Sequence, residues 1–208
     1  MKKILIIGTG GLAREFTSWC SNHFDIIGYS SINRSEHSQF NLPGKLYTDD
    51  INPQLIGTDL VFLAIASPPT KERIYKKFLN AGFRFPSLMH PSSTVSNLAN
   101  VGEGVIVSPN CVISPNVTLG KLVTVNFCCG IGHDTTIGDF TQINPGAQLG
   151  GFSKIGSRAL IGSGSTILQG ISIGADATVG SGSVVFGKVS KGVTVMGNPA
   201  KRMSLFEK

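Results

Sequence analysis

The spacing of apolar residues changes its rule once along this chain of 208 residues. In the first ninety or so, short apolar runs alternate with helical patterns. The stretch "KKILIIG" (2–8) reads as a buried strand, and a Gly-rich turn and the helix pattern "GLAREFTSWCSNH" (11–23) follow it. The run "DIIGY" (25–29) reads as a second strand and "DLVFLAIA" (59–66) as a third. The segment "PPTKERIYKKFLNAG" (68–82) reads as a helix with Pro at its start and Gly82 past its end. Residues 30–47 form a polar stretch that reads as a loop. Strands alternating with helices imply a small parallel sheet, an α/β domain of the Rossmann-like kind.

From Val95 onward every sixth residue is Val, Ile or Leu, through Val101, Val107, Ile113 and so on to Val185, sixteen positions without a slip. The residue after each is Gly at nine of the sixteen and Asn at two more, and the residue two before is mostly small. A period of six fits neither an α-helix nor a single amphipathic strand. It fits a parallel β-helix with three walls, a coil of 18 residues and an aliphatic interior. On this reading Gly or Asn takes the turn, because both tolerate positive φ. The expected domains are 1–90, an α/β nucleotide-binding part, and 91–208, the coil with its tail.

Composition adds exclusions. No apolar run is long enough to span a membrane, and the apolar part of "MKKILIIGTGG" is too short for a signal peptide, which points to the cytoplasm. Four cysteines, Cys20, Cys111, Cys128 and Cys129, form no C-x-x-C pair and suggest buried free thiols. The net charge of +6 is uneven: residues 95–186 hold three Lys/Arg and four Asp/Glu, whereas the last 22 hold five and one. No basic face with interleaved aromatics supports nucleic-acid binding. Flat walls with few charges suggest burial between copies of the chain. A metal hydratase on such a coil would need three zinc-binding histidines, and residues 95–186 contain His133 alone, so no metal is expected.

His133, followed by Asp134, lies two positions past the inward Ile131, so it sits near a corner and points outward. Spacing alone leaves it either a solvated loop residue or a base. Gly151 follows it by 18 residues and stacks on it. The "GTGG" after the first strand precedes a helix, the setting of a phosphate-binding turn. Gly8, Gly10 and Gly11, with Ala66 and Ser67 after the third strand, would line its pocket, or they are plain turn residues. A dinucleotide fingerprint would want an acid at the end of the second strand, where this chain has Ser30 and Ser31.

The segments "KILIIGTGGLAREF", "LMHPSSTVS", "GHDTTIGDFTQINPGAQLGG" and the tail "VMGNPAKRM" resemble the bacterial hexapeptide sugar acetyltransferases of the NeuD/PglD type. That group comprises sialic acid O-acetyltransferases and UDP-4-amino-sugar N-acetyltransferases. The resemblance implies a left-handed β-helix, acetyl-CoA as co-substrate, a homotrimer with sites between neighbours, and a role in surface glycan synthesis such as lipopolysaccharide or capsule. It makes His133 the general base and Asp134 its orienting acid, and it gives the Gly151 amide to the acetyl carbonyl. It gives cofactor contacts to Gln142, Ser163 and Ser181. Lys188, Lys201 and Arg202 in the basic tail are candidates for the cofactor's phosphates. Where some members carry a second His, nine residues past the base, this chain has Gln142. The implied reaction is N-acetylation of a nucleotide-linked amino sugar; the alternatives are O-acetylation of a sialic acid-like sugar and a non-catalytic scaffold.

Overall fold

The computed structural model describes residues 1–21, 23–47 and 51–203. Two compact units divide between Pro86 and Ser87 rather than after His90, because Leu88–Met89 already pairs with Ile106–Val107 of the coil.

The first unit is a four-stranded parallel sheet in the order β3-β2-β1-β4, built from β1 (Lys2–Ile7), β2 (Phe24–Ser30), β3 (Lys45–Tyr47) and β4 (Val61–Leu63). Helices α1 (Gly11–Cys20), α2 (Arg34–Gln39), α3 (Pro53–Ile56) and α4 (Pro68–Asn80) connect or follow the strands. Ile4, Leu5 and Ile6 are wholly buried, as an apolar run in the centre of a parallel sheet should be. The stretch 30–47 is not a loop: it holds α2 and β3, and β3 pairs with β2 from Gly28 to Ser30. Its polar composition hides them because α2 buries no residue and β3 is a short edge strand.

The second unit is the three-walled coil. The first wall starts at Leu88–Met89, the second at Thr94–Val95 and the third at Asn100–Val101, and up to Val185 each strand pairs in parallel with the one 18 residues on, whereas the last step, Thr178 to Thr194, is 16. The aliphatic residues from Val107 to Val185 form one continuous buried core, and Val95 and Val101 cap it half-buried. Small residues such as Ala147, Ser153 and Ala159 are wholly buried inside the corners.

The turn chemistry differs from the expectation. Positive φ falls three residues before each inward aliphatic from Val107 to Val185, at Gly104, Asn110, Asn116, Leu122, Cys128, Asp134 and onward in steps of six, many of them not glycine. The glycines that follow the aliphatics serve another purpose. A Cβ on Gly132 would lie 2.5 Å from the Gly151 nitrogen, and one on Gly138 2.5 Å from the Ser157 nitrogen. The next coil's backbone passes directly over these positions and leaves no room for a side chain.

The two classes of glycine should respond differently to one substitution. At Gly164 φ is +63° and a Cβ meets nothing within 4 Å, so Gly164→Asn should stay within about 0.5 kcal/mol of the parent. Gly138→Asn must displace backbone and should cost about 1–3 kcal/mol or more. Chemical denaturation of the two variants checks the order.

Candidate active site

His133 lies on the corner between the second-wall strand Gly130–Ile131 and the third-wall strand Thr136–Ile137. The following residue, Asp134, adopts left-handed backbone with φ 59°, a conformation Asp tolerates better than most residues. This bends the chain so that neighbouring side chains face each other: His133 Nδ1 lies 2.8 Å from Asp134 Oδ2. Asn116, one coil below, donates from Nδ2 to the other carboxylate oxygen at 3.1 Å. The hydrogen bond from His133, and secondly that from Asn116, hold the Asp134 carboxyl below the usual carboxylate range. An ionised Asp134 accepts a proton-bearing Nδ1, and that tautomer leaves Nε2 with its lone pair available.

Phe152, one coil above Asp134, meets the imidazole edge-on, with ring centroids 5.0 Å apart at 90°. The ring is still half-exposed. Gly151 lies over it: a Cβ there would be 2.9 Å from both Cε1 and Nε2. The missing side chain therefore leaves space beside the free nitrogen.

The remaining candidates are dispersed. Ser163 and Ser181 stack one coil apart, the Gly182 amide donating to the Ser163 carbonyl, and both are exposed. They stand on the corner between the first and second walls, not on the His133 corner. Gln142 is wholly buried on the first wall and donates from Nε2 to Asn144 Oδ1 at 3.3 Å. Its side chain is therefore not exposed within this chain. Lys188 borders a groove of about 600 Å³ on the third wall, together with Lys154 and Lys191. Lys201 and Arg202 lie instead on a short antiparallel strand at the end of the first wall.

In the first unit a cavity of about 390 Å³ opens at the end of β1 and β2. Gly8 and Gly10 line it, as do Ser30 and Ser31. Gly8 has φ +113° and a Cβ on it would come within 2.9 Å of the Ala64 carbonyl oxygen, so this turn requires glycine. Gly11, Ala66 and Ser67 stay outside the lining: Gly11 already belongs to α1, and Ala66 and Ser67 are exposed ahead of α4. Their place is taken by Thr70, Arg73 and Lys77 of α4, and by Glu36 of α2, which the sequence reading passed over. Glu36 is the only acid between Ser30 and Tyr47, and that was the available signal. Among the described residues no group of three or more His, Cys, Asp or Glu is arranged to hold a metal ion, and no helix is long and apolar enough to cross a membrane.

Comparison with known proteins agrees with this architecture. The bacterial transferase hexapeptide (six repeats) family model matches residues 134–169 and 153–187. No curated protein matches by sequence. A histidine-to-asparagine variant of perosamine N-acetyltransferase from Caulobacter crescentus, in complex with CoA and GDP-perosamine, superposes with a TM-score of 0.89 at 25% identity over 98% of both chains. The acetyltransferase domain of PglB from Neisseria gonorrhoeae, in complex with acetyl coenzyme A, gives 0.84 at 26% identity over 97% of this chain and 99% of that one. WeeI from Acinetobacter baumannii shares the fold, with 0.82 at 23% identity over 98% and 100%. The chain has the fold of these hexapeptide-repeat transferases, a Rossmann-like unit followed by a left-handed β-helix. Within that class it is an acyltransferase of the bacterial sugar acetyltransferase type.

The Asp134 carboxyl should titrate below the ~3.9 of a free Asp when followed by carboxyl-carbon NMR, and Asn116→Ala should move it upward. A lowered folded pKa stabilises the fold above the ordinary carboxylate range. That contribution is lost as pH falls through the lowered value.

Proposed function

We propose that the chain transfers the acetyl group of acetyl-CoA to the amine of a nucleotide-linked amino sugar. The observation that carries this reading is the His133–Asp134 pair beneath Gly151: a base whose second nitrogen is free, next to a backbone amide that no side chain obstructs. In the proposed reaction His133 Nε2 takes the proton as the amine attacks the thioester carbonyl. Asp134 fixes the ring and supports the imidazolium that forms. The Gly151 N–H donates to the carbonyl oxygen as it gains charge. The tetrahedral intermediate then collapses with loss of the CoA thiolate, which the protonated His133 neutralises. No covalent enzyme intermediate is required, and the buried Cys129 is no candidate nucleophile.

A second copy completes the cofactor site in this proposal. The outward residues of the second wall, Thr94, Val112, Gly130, Gln148, Thr166 and Val184, carry no charge, and Val112 is 51% exposed. Three prisms that turn this wall toward a common axis place the Ser163–Ser181 corner of one beside the His133 corner of the next. Lys154, Lys188 and Lys191, along the third-wall groove that starts beside the His133 corner at Thr136, supply positive charge for the CoA phosphates. The perosamine N-acetyltransferase, solved in complex with CoA and GDP-perosamine, supports both the co-substrate and a nucleotide-linked acceptor. Surface glycan synthesis in the cytoplasm is the setting that follows from such an acceptor.

The O-acetylation of a sialic acid-like sugar uses the same base, and the acceptor separates the two readings. Thiol release from acetyl-CoA should be fast with UDP- or GDP-linked amino sugars and absent with free sialic acid; the reverse result ends the first reading. His133→Ala should lower kcat by about 10²–10⁴-fold with an unchanged thermal melt. Analytical ultracentrifugation should find a trimer; a monomer would remove the composite cofactor site.

A further inference from the structure

We infer that Glu36 reads the ribose 2′,3′-diol of the bound nucleotide and makes the chain selective for ribonucleotides over 2′-deoxyribonucleotides. This deepens the proposed function, since it rests on the first-unit cavity holding a nucleotide.

A phosphate-binding turn of this kind is ordinarily accompanied by an acid at the end of the second strand, which meets the ribose hydroxyls. β2 ends at Ser30, and Ser31 follows it. The structure supplies a carboxylate there from another element. Glu36 lies on α2, and its Oε2 is 2.9 Å from the hydroxyl of Thr9, the residue between Gly8 and Gly10. The Thr9 hydroxyl is also 3.0 Å from Ser31 Oγ and 3.1 Å from the Asn33 carbonyl oxygen, and Thr9 is buried. Thr9 therefore ties the carboxylate to the phosphate-binding turn itself and to the end of β2.

The charges in the cavity are sorted. Arg73 and Lys77, four apart on one face of α4, line it together with Glu36. A diphosphate is drawn to the cations and repelled by the carboxylate, so Glu36 must face an uncharged donor group. It is within one hydrogen bond of the phosphate turn, the distance at which the ribose, lying between phosphate and base, is met first. A ribose cis-diol offers two O–H donors to one carboxylate. Uracil offers a single N–H flanked by two carbonyl oxygens, a poor match for an anion. Guanine offers two adjacent N–H donors on its base edge and is the competing partner that a test must separate.

The test is isothermal titration of the full chain with free UDP, 2′-deoxy-UDP, GDP, 2′-deoxy-GDP and IDP, without acetyl-CoA. Each ribonucleotide should bind about ten- to a hundredfold more tightly than its 2′-deoxy counterpart, the worth of a hydrogen bond to a charged group. Glu36→Gln, isosteric and still able to accept from Thr9, should shrink that ratio below about threefold. Arg73→Ala should weaken all five and keep the ratio. Equal binding of ribo- and deoxynucleotides, or an unchanged ratio in Glu36→Gln, overturns the assignment. So does a loss in Glu36→Gln confined to GDP relative to IDP, which would place the carboxylate on the base. Failure of every nucleotide to bind would instead reject the nucleotide-linked acceptor, a distinguishable result.

Discussion

The constraint on which the second unit depends is the fixed offset of 18 residues between hydrogen-bonded strands. Each pairing from Leu88 to Val185 keeps it, so the position of any side chain is set by those one coil below and one coil above. A slip of one residue in a strand would turn an aliphatic outward and a polar residue inward. The close passage of backbone over Gly132, Gly138 and Gly150 acts as a second lock, since a register that put a side chain at any of these positions would clash with the coil above. The site at His133 is a local use of this order: Asn116 below holds the acid, and Gly151 above leaves the free nitrogen uncovered.

Much of this was legible in the residues because the coil repeats. Sixteen aliphatics at one spacing define the walls, and adding 18 to 133 identifies Gly151 as its neighbour. What repetition could not convey was which residue of each hexad turns the backbone. Glycine and asparagine after the aliphatics suggested that position, yet the left-handed residues lie elsewhere and include Leu122, Phe140 and Phe152. A glycine can mean either an unusual φ or a near neighbour, and composition does not separate the two. Nor did the count of 18 place Ser163 and Ser181, which stack well on each other but on another corner.

In the first unit β1, β2, β4 and the two long helices were readable; the four-residue α3 was not, nor were α2 and β3. Neither has an apolar face: α2 buries none of its residues, and Tyr47 is only half-covered. Their existence rests on tertiary pairing, as when Gly28 to Ser30 accept β3 along the edge of the sheet. Glu36 was missed for the same reason, because a residue on an unrecognised helix has no predictable direction. Gln142 shows the opposite case. Its spacing from His133 was clear, but its complete burial depends on what covers the first wall and is not encoded in the hexad.

The left-handed turn at Asp134 has one further consequence. Because the imidazole and its carboxylate are adjacent in the chain, their mutual orientation is set by a single backbone bend that recurs at every corner of the prism. The pair is portable: two consecutive residues grafted onto another rung, with an amide donor beneath and a glycine above, would reproduce the same geometry. The rung on which chemistry occurs is thus an address that can be rewritten, and the distance from it to the end of the prism becomes a ruler for the length of the group that must reach it.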